Sequence, residues 1–172
     1  MKVTIEPIDD FQFEKVCFYT VVLQQRSKSE FQDFSSRMMN SSDINKIDYG
    51  EIVKFIKRIG ESEYGATIEN FKDEKSAHRL KIVEIEKPKK GLPNDYGLRL
   101  YCFRINEKVV ILFNGDRKTK PKAQQCPKCK TFFETANLIS KELGKALIAD
   151  KISTDDIYID IENDFTLSIW VK

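Results

Sequence analysis

The strongest constraint on the fold is a pair of apolar segments in the middle of the chain, residues 98–105 and 108–113. Apolar, β-branched and aromatic residues fill both segments, which is typical of strands. Only Asn106 and Glu107 separate them, so the pattern predicts a tight β-hairpin. Because successive side chains of a strand point to opposite faces, Arg99 is expected on the face opposite to Arg104.

Other strands are predicted on both sides of this hairpin. The sequence favours them at residues 2–8, 16–23 and 80–85. Near the end of the chain, apolar residues alternate with polar ones from Ile157 to Val171, which predicts a second hairpin turning near Asn163.

Three helices are predicted. Ser29 would cap the first, Asp48 would cap the second, and residues 131–149 would form the third. Strands that are grouped apart from helices favour an α+β fold with a mainly antiparallel sheet. Two helices would then precede the sheet and one would follow it, with strand additions at both ends of the chain.

The length and composition favour one globular domain over residues 1–172. Hydrophobic residues make up 41% of the chain and charged residues 33%, which is unlike a disordered segment. No apolar run approaches the roughly 20 residues that span a bilayer. The first residues lack the basic start and apolar stretch of a signal peptide, so we expect a cytoplasmic protein with no membrane partner.

Charge is distributed unevenly, although the formal net charge is only +2. Residues 115–130 hold six Lys or Arg residues against Asp116 alone, and residues 150–164 hold six acids against Lys151 alone. A cationic segment suits a polyanion, and an acidic tail suits a basic partner. Equally, the two segments could neutralise each other within one fold.

Cys126 and Cys129 form a single CxxC motif. A structural zinc site needs four ligands, usually from two such pairs, and the chain has no second pair. A redox site would need a thioredoxin-like βαβ context, which the sequence does not indicate. Cys17 and Cys102 lie in apolar strands, where cysteine is usually part of the core. We therefore predict no metal and no cofactor.

The central hairpin resembles that of the RelE/ParE superfamily of bacterial toxins, of the RelE/HigB-like and phage-derived type. Residues 97–101 read Gly-Leu-Arg-Leu-Tyr, residues 105–112 read Ile-Asn-Glu-Lys-Val-Val-Ile-Leu, and residues 115–119 read Gly-Asp-Arg-Lys-Thr. The toxin hairpin reads Gly-Tyr-Arg, a hydrophobic strand, Asp-Glu-Lys-Val-Val and a second hydrophobic strand, followed by basic residues. With the helices on either side, the resemblance covers about residues 43–149.

The resemblance implies a toxin of a toxin–antitoxin-like system, which cleaves mRNA on the ribosome and has an antitoxin protein as its partner. By the resemblance, Arg99 and Arg117 occupy the positions of catalytic arginines, and Lys81 lies on a strand that supplies lysines. The same resemblance would assign RNA binding to Lys118, Lys120 and Lys122. Guanidinium groups would stabilise the negative charge that develops on the phosphate during cleavage. Arg99 is expected on an exposed sheet face.

Two alternatives belong to other functional classes. The first is a non-catalytic, protein-binding inhibitor on the same scaffold, as ParE relatives are for DNA gyrase. It is favoured by residues 120–123, which read Lys-Pro-Lys-Ala where RelE carries a tyrosine after the second arginine, and by the presence of a single histidine, His78. The second is an interaction module stabilised by zinc at Cys126 and Cys129.

Overall fold

The molecule is built around a seven-stranded sheet with helices on both faces. The computed structural model describes residues 1–87, 91–161 and 167–168. Within these residues the chain forms nine strands: β1 Lys2–Gln12, β2 Cys17–Leu23, β3 Phe71–Glu74, β4 Ala77–Leu80, β5 Leu98–Arg104, β6 Val109–Arg117, β7 Ile152–Asp155, β8 Tyr158–Ile161 and β9 Leu167–Ser168. The described α-helices are α1 Glu30–Met39, α2 Asp43–Glu61, α3 Val83–Glu86 and α4 Lys130–Ile148.

The sheet has the strand order β3-β4-β5-β6-β2-β1-β9. Neighbouring strands are antiparallel except β2 and β6, which run parallel. The short strands β7 and β8 pair only with each other. The predicted α+β class and the mainly antiparallel sheet are therefore confirmed. The one-turn helix α3 adds to the predicted helices.

The sheet is buried on both faces at its centre. On one face, side chains such as Phe18, Leu100 and Leu112 pack against α1 and α2. On the other face, side chains such as Tyr101 and Ile111 pack against α4. Strands β5 and β6 therefore lie between two helical layers, where any charged side chain loses much of its contact with water.

The central hairpin and the first helix form as the sequence predicts. Strands β5 and β6 are antiparallel neighbours, and the Asn106 side chain accepts the backbone N–H groups of Lys108 and Val109 in the turn between them, at 2.8 and 2.9 Å. Ser29 caps α1 through a reciprocal pair of hydrogen bonds with Gln32, which satisfies two backbone N–H groups at the helix start.

Two predictions of local structure are wrong. Residues 80–85 are not one strand, because β4 ends at Leu80 and α3 begins at Val83. Asp48 does not cap α2, which begins at Asp43 after Ser42. Asp48 lies inside the helix instead, 3% exposed, and its carboxylate binds a residue on the sheet. In the tail, β7 and β8 turn near Asp156, and the turn predicted near Asn163 lies outside the described residues.

None of the described helices combines the length with the apolar composition that crossing a bilayer requires.

The irregular pairing of β5 with β6 depends on Gly115. A β-carbon added there would lie 1.8 Å from the Arg99 carbonyl oxygen, whereas one added at Gly144 in α4 would meet nothing within 4 Å. We expect Gly115→Ala to lower the free energy of unfolding by about 1–3 kcal/mol or more, because backbone must shift to relieve the overlap. As the matched control, Gly144→Ala should raise it by up to about 1 kcal/mol. Urea denaturation of both variants checks this, and equal effects would contradict it.

Candidate nucleic-acid interface

Arg99 lies on β5 and points toward α4. Its neighbour Tyr101, on the same face, contacts the Phe133 ring of α4 edge-on at 5.8 Å between ring centroids. Arg99 is only 6% exposed, so the expectation of an exposed arginine is wrong: α4 covers this face. The parity prediction is confirmed, because Leu98, Leu100 and Cys102 pack on the other face.

The guanidinium of Arg99 has few partners for a buried charge. Its Nη1 atom lies 3.5 Å from the Leu98 carbonyl oxygen and 4.0 Å from a carboxylate oxygen of Glu86. Its Nε atom has no hydrogen-bond partner among the described residues. Burial, and next the nearby charge of Arg79, lower the pKa of Arg99. Leaving a buried donor unpaired is costly, which makes this side chain unusual.

Two carboxylates of this region, those of Glu74 and Glu86, are engaged by another arginine. Arg79 on β4 is 4% exposed and binds Glu74 through its Nε at 2.8 Å. It also forms an ion pair with Glu86 through its Nη1. Arg79 is therefore well neutralised, while Arg99 shares only a weak contact with Glu86.

Lys118 adds a third cation at the same place. It follows β6, and its Nζ lies 5.6 Å from the centre of the Tyr96 ring. Burial, and next the charge of Arg99, lower its pKa, with Glu74 and Arg79 also within electrostatic range. We call this group the Arg99 cluster, and its members are Arg79, Arg99, Lys118, Glu74, Glu86 and Tyr101. Three cations against two carboxylates leave one positive charge in excess.

Tyr101 contributes a buried hydroxyl group to the cluster. The residue is 1% exposed, and its hydroxyl has no hydrogen-bond partner within the described ranges. Burial raises its pKa well above the usual range, so the group keeps its proton. Among the described residues, the cluster therefore holds two donors without an acceptor, the Nε–H of Arg99 and the hydroxyl of Tyr101.

Arg117 lies next to this cluster in the sheet but on the other face. It pairs across the strands with Leu98, and its guanidinium binds Asp48 of α2 at 2.6 Å and Asp95 at 2.7 Å. It also donates to the Asn45 side chain at 2.7 Å. These bonds tie β6 to α2. The structure thus brings Lys118, but not the Arg117 side chain, to Arg99.

The loop between β6 and α4 carries an exposed group of lysines. Cys126 and Cys129 hold this loop against the end of β6 through Thr119 and the Asp116 carbonyl, so its two ends meet. The only acid of the segment, Asp116, is paired with Arg37 of α1 at 3.0 Å. We call the loop the lysine surface, formed by Lys118, Lys120, Lys122, Lys128 and Lys130. Lys118 is half-buried, the other four are exposed, and none of the ion pairs between described residues involves these lysines.

The acidic tail does not neutralise the lysine surface where the structure describes it. Asp150 follows the C-terminus of α4, whereas the lysine surface ends at its N-terminus, and a helix of 19 residues is about 28 Å long. In the β7–β8 hairpin, Asp156 pairs instead with Lys108, at the turn between β5 and β6. The described part of the acidic tail, residues 150–161, therefore lies at the opposite end of the molecule from the lysine surface.

Two other predicted residues lie away from the cluster. Lys81 is exposed just after β4. His78 lies on the opposite face of β4 from Arg79, where its Nδ1 accepts the Arg104 backbone N–H at 3.3 Å and its Nε2 lies 3.7 Å from Asp73. Burial lowers the pKa of His78. Neither side chain is placed to act with Arg99.

The buried CxxC motif is the remaining reactive feature. Both sulfurs lie at the start of α4, and among the described residues no group of three or more His, Cys, Asp or Glu side chains is arranged to hold a metal ion. Two thiolates alone would leave a structural zinc ion without half of its usual ligands.

Sequence reasoning missed Arg79, Tyr101 and the two glutamates of the cluster. Strands β3 and β4 have four residues each, too short for a clear alternation pattern. Within β4, however, the sequence Ala-His-Arg-Leu places Arg79 between two side chains that are buried or half-buried. Because the burial of these neighbours is known only from the structure, the sequence alone gives no clear signal for Arg79.

Neither a family model, nor a curated protein, nor a solved structure matches the chain. The resemblance to the RelE/ParE toxins therefore stays a prediction.

Replacing Arg117 or Arg99 by methionine should show how differently these two buried arginines contribute to stability. Arg117→Met would remove the two buried ion pairs that this guanidinium makes with Asp48 and Asp95, so we expect it to lower the free energy of unfolding by about 3–5 kcal/mol. Arg99→Met removes an underpaired charge while Glu74 and Glu86 keep Arg79, so stability should stay within about 1 kcal/mol of wild type or increase. Chemical denaturation measures both values. An Arg99→Met loss as large as that of Arg117→Met would contradict this assignment.

Proposed function

We propose that the protein binds RNA through the lysine surface, with the Arg99 cluster beneath it as a phosphate site. The observation that carries the proposal is the buried, underpaired guanidinium of Arg99 within electrostatic range of Lys118, the first of a group of lysines that form no ion pair among the described residues. Phosphate contacts by lysine and arginine dominate the affinity of proteins for nucleic acids. The resemblance to the RelE/ParE toxins supports mRNA as the RNA and a toxin role.

The charge of Arg99 acts at the surface even though its side chain is covered. Lys118 lies within electrostatic range of Arg99 and is itself half-buried, so it connects the cluster to solvent. Low-dielectric surroundings screen a charge less than water does, which raises the positive potential at the opening. A phosphate bound to Lys118 would therefore also be attracted by Arg99.

The same geometry favours binding over cleavage. Cleavage through the 2′-hydroxyl needs a general base within hydrogen-bond reach of it. His78 lies on the other face of the sheet, Glu74 and Glu86 are engaged by Arg79, and Arg117 is engaged by α2. We therefore propose that the protein inhibits by binding RNA and does not cleave it.

RNA cleavage is the second candidate, and one observation favours it. Arg99 and Tyr101 hold two unused donors on the same face, and both could bond the non-bridging and leaving oxygens of a phosphate that entered the cluster. Glu86, whose side chain is 25% exposed, would then have to leave Arg79 to act as the base.

The lysine surface can be tested by the salt dependence of binding. We expect Lys120→Ala with Lys122→Ala to weaken binding to a single-stranded oligoribonucleotide. The slope of log affinity against log salt should become shallower by about 1.4, since each lost phosphate contact contributes about 0.7. The matched control is Lys54→Ala with Lys57→Ala, two exposed lysines on α2. Equal effects of the two double variants, or no RNA binding by wild type at low salt, would contradict the proposal.

Arg99→Met tests the site beneath the surface and separates the two candidates. Loss of a charged hydrogen-bonding group should weaken RNA binding by roughly tenfold or more. Arg104→Met is the control, because that side chain lies on the other face and donates to the Ala66 carbonyl. Gel analysis of the RNA after incubation should show intact RNA with wild type. Cleavage that Arg99→Met slows by about a hundredfold to a thousandfold would instead establish the second candidate.

A further inference from the structure

The sulfur of Cys126 lies in a concentration of hydrogen-bond donors. It accepts the Thr119 backbone N–H at 3.5 Å and lies 3.6 Å from the Thr119 hydroxyl. Donors directed at sulfur favour the thiolate over the thiol, in the same way as donors stabilise any other anion.

The motif also lies between a strand and a helix. Strand β6 precedes it, and α4 begins directly after Cys129, whose carbonyl accepts the Phe133 N–H at 2.9 Å. The positive end of the helix dipole favours negative charge there. Both the strand and the helix are elements that the sequence predicts, and β7, which follows α4, pairs with β8 rather than with β6.

The surroundings of the two cysteines shift their pKa values in opposite directions. Burial alone would raise the pKa of Cys126, but the bonds from Thr119 and Cys129 outweigh burial and lower this pKa to about 7. Burial, and next the charge of Cys126, raise the pKa of Cys129, which keeps its proton. A thiolate beside a neighbouring thiol is the usual pairing of an attacking and a resolving cysteine.

We propose that Cys126 and Cys129 form a redox-active dithiol whose oxidant is a hydroperoxide. The Cys126 thiolate attacks the O–O bond, an S–O bond forms, and the leaving hydroxide takes a proton to become water. The Cys129 sulfur then attacks the Cys126 sulfur, the S–S bond forms, and the S–O bond breaks. The Cys129 proton leaves with the hydroxide as a second water. Two thiols and one hydrogen peroxide thus give one disulfide and two waters.

Access limits the rate of this reaction but not its selectivity. All four cysteines of the chain are buried and free. Burial raises the pKa of Cys17, where a backbone hydrogen bond with Phe13 opposes it only in part, and burial raises the pKa of Cys102. Hydrogen peroxide is close to water in size, and the residues around Cys126 in the loop, including Pro127 and Lys128, are exposed. Opening of this short loop would admit the oxidant to Cys126.

Closing the disulfide removes the S–H donors that attach the motif to the end of β6. The Cys129 thiol donates to the Asp116 carbonyl at 3.3 Å, and the Cys126 sulfur donates to the Arg117 carbonyl at 3.6 Å only while it is protonated. A disulfide has no S–H donor, so the loop that carries the lysine surface loses these attachments. The redox chemistry itself is independent of the proposed RNA binding.

The test is the distribution of oxidation among the four cysteines of the full chain. Reduced protein is treated with hydrogen peroxide near neutral pH, denatured, alkylated and mapped by mass spectrometry. We expect Cys126 and Cys129 to be joined, with loss of two hydrogens, while Cys17 and Cys102 remain alkylatable thiols. Dithiothreitol should restore both thiols.

Variants separate the role of Cys126 as the attacking cysteine from that of Cys129 as the resolving cysteine. Cys129→Ser should stop the reaction at a sulfenic acid on Cys126, which a cyclic 1,3-dione captures. Cys126→Ser should leave Cys129 reduced, and Cys17→Ser should react as wild type does. If a variant fails to fold, the wild-type distribution decides alone. Oxidation spread equally over the four cysteines, or Cys126 and Cys129 left fully alkylatable, would overturn the proposal.

Discussion

Desolvation of charge is the constraint on which the rest of this structure depends. Strands β5 and β6 lie between α1 and α2 on one face and α4 on the other, so each charged side chain on them must be paired or remain at a cost. Arg117 meets the constraint through Asp48 and Asp95, and in doing so fixes α2 to the sheet. Arg79 meets it through Glu74 and Glu86.

Among the described arginines of these strands, Arg99 is the one whose buried charge is not fully paired. The proposed function is based on this property. A buried guanidinium with a donor unused among the described residues is unfavourable for folding alone, so its presence fits a ligand that supplies the missing acceptor. Lys118 of the lysine surface lies within electrostatic range of it, and the described acidic hairpin lies at the far end of α4. Charge separation along one helix thus gives the molecule a cationic end and an acidic end.

Local patterns in the sequence were sufficient for the central hairpin, the Ser29 cap and α4, because each depends on residues that are neighbours along the chain. Asp48 was misassigned because its role depends on Arg117, which is 69 residues away. The burial of Arg99 was missed for a similar reason, since strand parity gives the face of a side chain but not what covers that face. Predicting such pairings requires the tertiary arrangement of helices on the sheet.

The most direct test of the central claim is nuclear magnetic resonance of the arginine Nε–H groups during titration with a single-stranded oligoribonucleotide. A buried Nε–H exchanges slowly with water, so both Arg99 and Arg117 should give separate signals. If the Arg99 cluster is a phosphate site, the Arg99 signal shifts and saturates together with binding, while that of Arg117 stays in place. Saturated binding with the Arg99 signal unchanged would contradict the account.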